Sequence, residues 1–208
     1  MNTTKRLYFY VVAFASLSVT ASGAALLLRY VLDLALGRTI AGSTVEQVAL
    51  GLAMVVVGAP LWLFHWSFGQ RQLARQPREA GAALRALYLY GAMFAGAVVT
   101  LVEMRSLVQA ALGEGVFGTT RAGLLVTWGL VWAYHWMVSR RDGQPSAGSR
   151  ALWRWYVYAT SAYALVFAAL GLGSILILLF ERTYDGLAPI GSGLVSRGLW
   201  VPEMNRNM

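Results

Sequence analysis

The two histidines of the chain occupy the same short motif. His65 lies in PLWLFHW (60–66) and His135 lies in LVWAYHW (130–136), so both follow the pattern Trp-x-x-His-Trp, 70 residues apart. On a helix, both tryptophans and the histidine share one face, because positions i, i+3 and i+4 are neighbours. Neutral imidazole ligates metals and haem iron, and two histidines on facing helices can clamp one haem. His65 and His135 are therefore candidate cofactor ligands.

The tryptophans beside the histidines allow more than one interpretation. Trp62, Trp66, Trp132 and Trp136 would line a haem b or a chlorophyll-type pigment held between the two helices. Tryptophan and tyrosine also concentrate at membrane–water interfaces. In that setting each histidine would hydrogen-bond to a headgroup, to water or to the backbone, and no cofactor would be bound. The sequence leaves both interpretations open, with quinone or lipid contacts as a third.

An acidic residue within an apolar segment is the second group that could carry chemistry. Glu103 lies fifteen residues after Tyr88, which is about 22 Å along a helix. It would therefore still lie inside a hydrocarbon core about 30 Å thick. A carboxylate at that depth needs a partner or a proton. We expect an intramembrane ion pair of Glu103 with Arg29, with Arg105 nearby, that is either structural or part of an ion-handling path.

Other kinds of chemistry find no support in the sequence. The chain has no cysteine, which excludes disulfides, thiolate metal sites and cysteine nucleophiles. It has no Walker loop, no His-Glu-x-x-His motif, no nucleophile elbow and no pair of catalytic carboxylates. We therefore expect neither an enzyme nor a metal site.

Composition indicates which elements hold these residues. The chain is 58% hydrophobic and 12% charged, whereas soluble domains average about 25% charged residues. Windows without any charged side chain cover residues 7–28, 47–70, 86–102, 122–139 and 155–180. Crossing a bilayer takes about 20 helical residues, and these windows are too uniformly apolar for barrel strands.

The sequence therefore predicts an all-α integral membrane protein that forms a single transmembrane domain. Its five transmembrane helices are predicted at about 7–36, 46–70, 85–112, 122–139 and 153–181. Residues 186–208 are predicted to form an external C-terminal tail without secondary structure, because they contain several glycines and prolines.

The net charge of +8 is carried by one set of loops. The segments before helix 1, between helices 2 and 3, and between helices 4 and 5 contain ten Lys or Arg and two acidic residues. This distribution follows the positive-inside rule. It predicts a bacterial inner (plasma) membrane protein with a cytoplasmic N-terminus and an external C-terminus. The expected partners are the lipid bilayer and other membrane proteins or a second copy of the chain, and no nucleic acid, since no soluble domain is present.

The helices form an internal repeat. Helices 1, 3 and 5 open with KRLYFY (5–10), RALYLY (85–90) and RWYVY (154–158), and helices 2 and 4 end in the Trp-x-x-His-Trp motif. The unit is a helical hairpin, present twice and followed by a fifth helix that resembles the first half of a third copy. A two-helix unit starts and ends on the same side of the membrane, so the copies are parallel repeats. His65 and His135 are then equivalent positions.

These motifs resemble a known family. The repeated Leu-Tyr-x-Tyr helix starts and the Pro-Leu-Trp-Leu-x-His-Trp helix end are similar to an uncharacterised bacterial multi-helix membrane-protein family, a domain of unknown function. The resemblance covers most of 5–140 and, more weakly, 150–186. The second copy departs from the pattern, because Leu130 stands where the first copy has Pro60. The resemblance implies a multi-helix membrane protein and no particular activity.

The function most consistent with the sequence is non-catalytic. With almost no soluble mass, the chain is expected to be an accessory or scaffolding subunit that packs against other membrane proteins. One alternative is a protein that binds haem b or a chlorophyll-type pigment at His65 and His135 for electron or energy transfer. A second alternative is a small ion-handling or transport subunit that uses Glu103.

Overall fold

Every regular element in the computed structural model is a helix within the residues that it describes, which are 3–37, 44–75, 82–113, 116–142 and 146–195. The helices are α1 (Thr3–Ala35), α2 (Thr44–Arg75), α3 (Ala83–Ala111), α4 (Thr119–Arg141) and α5 (Ala147–Val195). The predicted all-α class with five helices is confirmed, and the bounds of α1 to α4 lie within five residues of those predicted.

Four of these helices, α1, α2, α3 and α5, are long and apolar enough to cross a membrane. Helix α4 is not among them, although it has 23 residues. It carries Arg121 near its start and Arg140 and Arg141 in its last turn, and its centre contains tryptophan, tyrosine and histidine. The apolar helices of a membrane protein are therefore present, while a count of five spans stays a prediction.

Helix α5 is much longer than predicted. It begins at Ala147 rather than 153 and continues to Val195 rather than 181. The segment 186–195, predicted to be part of an unstructured tail, is thus helical. Its glycines and its proline, which disfavour helix in general, do not end α5. The rest of the predicted tail, 196–208, lies outside the described residues.

The ends of α1 and α3 are alike. Gly37 and Gly113 follow the two helices with positive φ values of 61° and 87°. Their backbone N–H groups donate to Leu34 and Ala110, each at 3.1 Å. A residue in the left-handed conformation is a common way to end a helix, and glycine adopts it without a steric penalty. Equivalent helices of the two hairpins therefore end in the same glycine cap.

Helix α1 packs against α2, α3 and α4, and α3 packs against α4. Glycine permits the closest of these approaches. A Cβ atom added to Gly51 would lie 3.1 Å from the carbonyl oxygen of Gly23, and one added to Gly123 would lie 2.5 Å from that of Ala25. Small residues bring helix backbones together in membranes. The first contact closes hairpin α1–α2, and the second joins α1 to α4 of the other hairpin.

The chain divides into two compact units, residues 1–167 and 168–208. The first contains α1 to α4 and the beginning of α5, with a core formed by Ala13, Leu17, Trp66, Tyr88, Leu89 and Ala92. In the second unit, large apolar side chains are exposed, among them Leu172, Ile177 and Phe180.

Candidate functional site

The candidate site lies where α1, α3 and α5 begin and where α2 and α4 end, which we call the histidine end of the bundle. Its central residue is Tyr88 of α3, whose side chain is 3% exposed. The hydroxyl oxygen of Tyr88 lies 3.0 Å from the indole Nε1 of Trp62 and 3.1 Å from Nε2 of His135. One tyrosine thus connects α2, α3 and α4.

The directions of these hydrogen bonds follow from the backbone partner of His135. Its Nδ1 lies 2.8 Å from the carbonyl oxygen of Val131. A carbonyl only accepts, so Nδ1 carries the proton and Nε2 of the neutral ring holds a lone pair. Tyr88 therefore donates to Nε2, and Trp62 donates to Tyr88. His135 has no exposed surface, and all its polar atoms are paired, as burial requires.

The tryptophan–tyrosine bond recurs between the next pair of copies. Trp132 of α4 donates from Nε1 to the hydroxyl of Tyr156 in α5, at 3.1 Å. Trp62 and Trp132 are equivalent residues of the two hairpins, and Tyr88 and Tyr156 begin the helices that follow them. The second helix of each copy therefore bonds to the first helix of the next copy. This bond supports the interpretation of α5 as the start of a third copy.

His65 has a different environment from His135. Its Nδ1 also bonds to the carbonyl one turn earlier, that of Leu61 at 2.7 Å, and its ring is 7% exposed. Tyr8 and Phe9 of α1 lie against it with ring centroids 5.9 and 5.2 Å away. Tyr8, the counterpart of Tyr88, is 58% exposed and makes no hydrogen bond within the described part of the chain.

The two histidines therefore lie in separate aromatic clusters. His65 packs against α1, whereas His135 packs against Trp66 and Tyr88. Both rings use Nδ1 for a backbone carbonyl, an arrangement that also orients ligating histidines toward a metal. Nε2 of His135, however, is occupied by the hydroxyl of Tyr88. Ligation through that atom would require this hydrogen bond to break.

Trp66 connects a second set of polar groups. Its Nε1 donates to the hydroxyl of Tyr134 at 2.7 Å, which joins α2 to α4. The guanidinium of Arg85 lies over the indole, 5.2 Å from the ring centroid. That guanidinium donates to both carboxylate oxygens of Asp142, at 2.7 and 2.9 Å, and to Gln70 at 3.4 Å. The Arg85 side chain is 1% exposed, so its burial depends on this bidentate pair.

Trp136 lies at the edge of the network. It stacks on Trp132 with ring centroids 5.7 Å apart and contacts Trp153 of α5 at 6.0 Å. Arg140 lies over its face at 5.4 Å. The four tryptophans proposed to line a cofactor thus serve two purposes in this structure: Trp62, Trp66 and Trp132 donate hydrogen bonds between helices, and Trp136 packs by its faces.

The expected Glu103–Arg29 pair is not formed among the described residues. The carboxylate of Glu103 lies 4.0 Å from Arg121 of α4, and its Oε2 makes no hydrogen bond. Arg29 instead bonds to Gln47 at 2.6 Å and lies 3.5 Å from Asp33. The reason is geometric, because α4 rather than the end of α1 presents a cation to Glu103. The buried Nε of Arg105 also has no hydrogen-bond partner in the described part of the chain.

Sequence reasoning missed Tyr88, Tyr134, Arg85 and Asp142. Tyr88 belongs to a Tyr-x-Tyr motif that recurs at the starts of helices 1, 3 and 5, and Arg85 is one of ten cations on one side of the membrane, so the sequence singles out neither residue. One signal was available: Asp142 is one of two acidic residues among ten cations on that side. An acid in so basic a set is more informative than another arginine, because it indicates a specific ion pair.

Comparison with known proteins agrees with the resemblance carried by the motifs. The family described as Domain of unknown function (DUF5671) matches residues 6–130. The chain belongs to this family. The DUF5671 match covers α1, α2, α3 and the first half of α4, including Trp62, His65 and Tyr88, and ends before His135. No curated protein and no solved structure matches the chain.

Proposed function

We propose that the protein is a non-catalytic accessory or scaffolding subunit of the bacterial inner membrane that packs against another membrane protein through α5. The observation that carries this proposal is the exposure of α5. Its most apolar window has a mean hydropathy of 2.5, and none of it is buried in the chain. The corresponding windows of α1, α2 and α3 are 33%, 17% and 33% buried.

Two glycines favour a protein partner over lipid alone. A Cβ atom added to Gly23, Gly51, Gly58, Gly96 or Gly123 would press against a neighbouring helix, whereas one added to Gly171 or Gly173 would meet no atom within 4 Å. The chain thus uses glycine for close helix contacts, and α5 carries the same residue type at Gly171 and Gly173, where the described residues leave room for a side chain. In membranes, such small residues allow another helix to approach.

The polar side chains of the histidine end support a non-catalytic role. Tyr88, His135 and Trp62 bond to one another, and Arg85 is neutralised by Asp142. These hydrogen bonds and this ion pair join α2, α3 and α4 to one another. The proposed partner surface is therefore the apolar helix α5 and not the buried network.

Photocrosslinking in native membranes tests this proposal. A photoreactive phenylalanine analogue at Leu172, which is 59% exposed, should yield an adduct with one other membrane protein. Gly171→Leu should weaken that adduct by filling the approach surface. Ala53→Leu, the same kind of enlargement on an exposed position of α2, should leave it unchanged. Adducts with lipid only would refute the proposal, and an adduct of twice the chain mass would replace the partner with a second copy.

The proposed topology has five spans, with α4 included, a cytoplasmic N-terminus and an external C-terminus. The ten cations of the loops at the histidine end support it. Because the chain has no cysteine, single cysteines placed in each loop will be labelled uniquely. A membrane-impermeant thiol reagent added outside cells should label the α1–α2 and α3–α4 connections and spare the others. The reverse pattern would invert the topology.

A second candidate function keeps the haem b or chlorophyll-type cofactor at His65 and His135. The observation in its favour is that both histidines donate from Nδ1 to a backbone carbonyl, which leaves Nε2 as the ligating atom. A visible absorption spectrum of the purified protein, before and after dithionite, tests it. A band that is lost in His135→Ala would establish the cofactor, and a flat spectrum of protein purified in mild detergent with added haem would reject it.

A further inference from the structure

A cleft of about 410 Å³ lies between α1 and α4. Helix α1 contributes the side chains of Leu17, Thr20, Ala21, Ala24 and Leu28. Trp62, Tyr134 and His135 line the part of the cleft nearest the histidine end of the bundle. The size is that of a site for a small molecule, and all of these residues belong to the first unit.

Two residues that line this cleft, Thr127 and Tyr134, carry a hydroxyl proton for which the described part of the chain shows no acceptor. Tyr134 accepts the indole N–H of Trp66, but its own O–H finds no acceptor within the described residues. Thr127 makes no hydrogen bond there at all, whereas Ser16 and Thr20 of α1 donate to the carbonyl one turn earlier. Thr127 and Tyr134 are seven residues apart, and therefore lie on the same stripe of α4.

The other hairpin lacks both hydroxyls. Counting 70 residues back, as from His135 to His65, places Val57 at the position of Thr127 and Phe64 at that of Tyr134. Val57 and Phe64 are 60% and 63% exposed. Two copies of one unit thus differ at the two positions that supply donors to the cleft. The hydroxyls are therefore a property of this cleft and are not required by the hairpin fold.

The chemistry of the cleft defines its ligand. A hydroxyl proton without an acceptor in an apolar setting is unfavourable, so an oxygen acceptor is needed. Among the described residues that line the cleft, none has a cationic side chain, which disfavours a phosphate or a carboxylate. We propose that the cleft binds an apolar molecule through its carbonyl oxygens, which accept hydrogen bonds from Tyr134 and Thr127.

Two membrane components carry this chemistry. A quinone ring has two carbonyl oxygens on a long apolar tail, and a diacyl phospholipid has two ester carbonyl oxygens between its chains and its headgroup. Either would present a carbonyl acceptor to the hydroxyls of Thr127 and Tyr134. The shared carbonyl group is the proposed ligand chemistry, and the source is decided by experiment.

Isotope-edited infrared spectroscopy distinguishes the sources. The full chain is delipidated in a carbonyl-free maltoside detergent and titrated separately with decylubiquinone labelled at its ring carbonyls and with phosphatidylethanolamine labelled at its ester carbonyls. One of the two probes should show a saturable, protein-dependent carbonyl band at lower frequency, because hydrogen bonding weakens the C=O stretch. The probe that shows it identifies the source. If neither probe shows such a band, the proposal is overturned.

Four variants assign the band to the cleft. Tyr134→Phe and Thr127→Val should each weaken binding of the responding probe about 3- to 10-fold, the worth of one hydrogen bond. Thr127→Val keeps the Trp66–Tyr134 bond, so it remains informative if Tyr134→Phe folds poorly. Ala24→Leu should block binding by filling the cleft, and Tyr158→Phe, outside the cleft and 66% exposed, should bind like the wild type. A band unchanged in both hydroxyl variants would refute the proposal.

Discussion

The two hairpins carry the same motif in different surroundings. In α1–α2, His65 lies beside an exposed Tyr8. In α3–α4, His135 is completely buried and bonds to Tyr88, which also accepts a bond from the preceding hairpin. Among the described residues, no tryptophan donates to the hydroxyl of Tyr8, as Trp62 does to that of Tyr88. Both histidines are buried, so the difference between the hairpins lies in the hydrogen bond that His135 receives from Tyr88 and not in burial of the ring.

Because the motif alone does not decide the energetics, equivalent substitutions in the two hairpins should have unequal effects. The comparison can be made by measuring the free energy of unfolding of each variant in mixed micelles titrated with dodecyl sulfate. The expected differences decrease from the buried ion pair, through the two buried tyrosines, to the half-exposed ion pair at the opposite end of the bundle.

The largest effect is expected for Arg85→Ala. Removing the guanidinium leaves the carboxylate of Asp142, whose side chain is 13% exposed, without its cation. Breaking such a pair from one side costs about 3 kcal/mol of unfolding free energy. Lys5→Ala, at the equivalent and exposed position of the first hairpin, should cost less than about 0.5 kcal/mol. Equal losses for the two variants would remove the distinction between the hairpins.

The second largest loss of unfolding free energy is expected for Tyr88→Phe. This change keeps the ring and removes the hydroxyl that bonds to both Trp62 and His135. Two buried polar atoms then lose their partner, at a cost of about 1 to 3 kcal/mol of unfolding free energy. Tyr8→Phe is the matched control and should be neutral. A neutral Tyr88→Phe would mean that the network does not stabilise the fold.

The loss of unfolding free energy in Tyr156→Phe should lie between those of Tyr8→Phe and Tyr88→Phe. The hydroxyl of Tyr156 accepts one bond, from Trp132, where that of Tyr88 makes two. We expect a loss of about 0.5 to 1 kcal/mol of unfolding free energy, in line with single hydrogen bonds in membrane proteins. The loss of unfolding free energy would then increase from Tyr8→Phe through Tyr156→Phe to Tyr88→Phe, following the number of hydrogen bonds that each hydroxyl makes. If Tyr156→Phe cost as much as Tyr88→Phe, the histidine bond would contribute nothing.

The smallest effect is expected for Glu103→Gln. The carboxylate lies 4.0 Å from Arg121, whose side chain is 48% exposed, so the pair is long and partly solvated. Pairs of this kind contribute less than about 1 kcal/mol to the unfolding free energy. The same variant tests the ion-handling alternative, because an ion flux across proteoliposomes that is lost in Glu103→Gln would give this residue a role beyond structure.

The helices, their approximate bounds and the duplication could be predicted from the sequence because each leaves a local pattern. Apolar windows mark the helices, and repeated Tyr-x-Tyr and Trp-x-x-His-Trp motifs mark the copies. The difference between His65 and His135 leaves no such pattern. It depends on which helix lies next to each ring, and this is a property of tertiary packing.

The candidate site could be predicted only in part, because the partners of its residues are also set by tertiary packing. The motif identifies His135 and Trp62, but their partner Tyr88 lies in the same Leu-Tyr-x-Tyr motif as the exposed Tyr8, so the sequence does not separate the two tyrosines. Glu103 is predicted to pair with Arg29, whereas the cation beside it, Arg121, belongs to α4. A repeat indicates which residues are equivalent, but it does not indicate which residues meet.

The bond from each tryptophan to the tyrosine of the following copy gives the series of copies a direction. Trp62 reaches forward to Tyr88 and Trp132 reaches forward to Tyr156, so α5 completes the last bond. The joint between copies is the same each time, and each hairpin returns the chain to the end of the bundle where it began. Whole hairpins could therefore be gained or lost by gene duplication or deletion while every remaining joint stayed intact and the terminal helix kept its orientation.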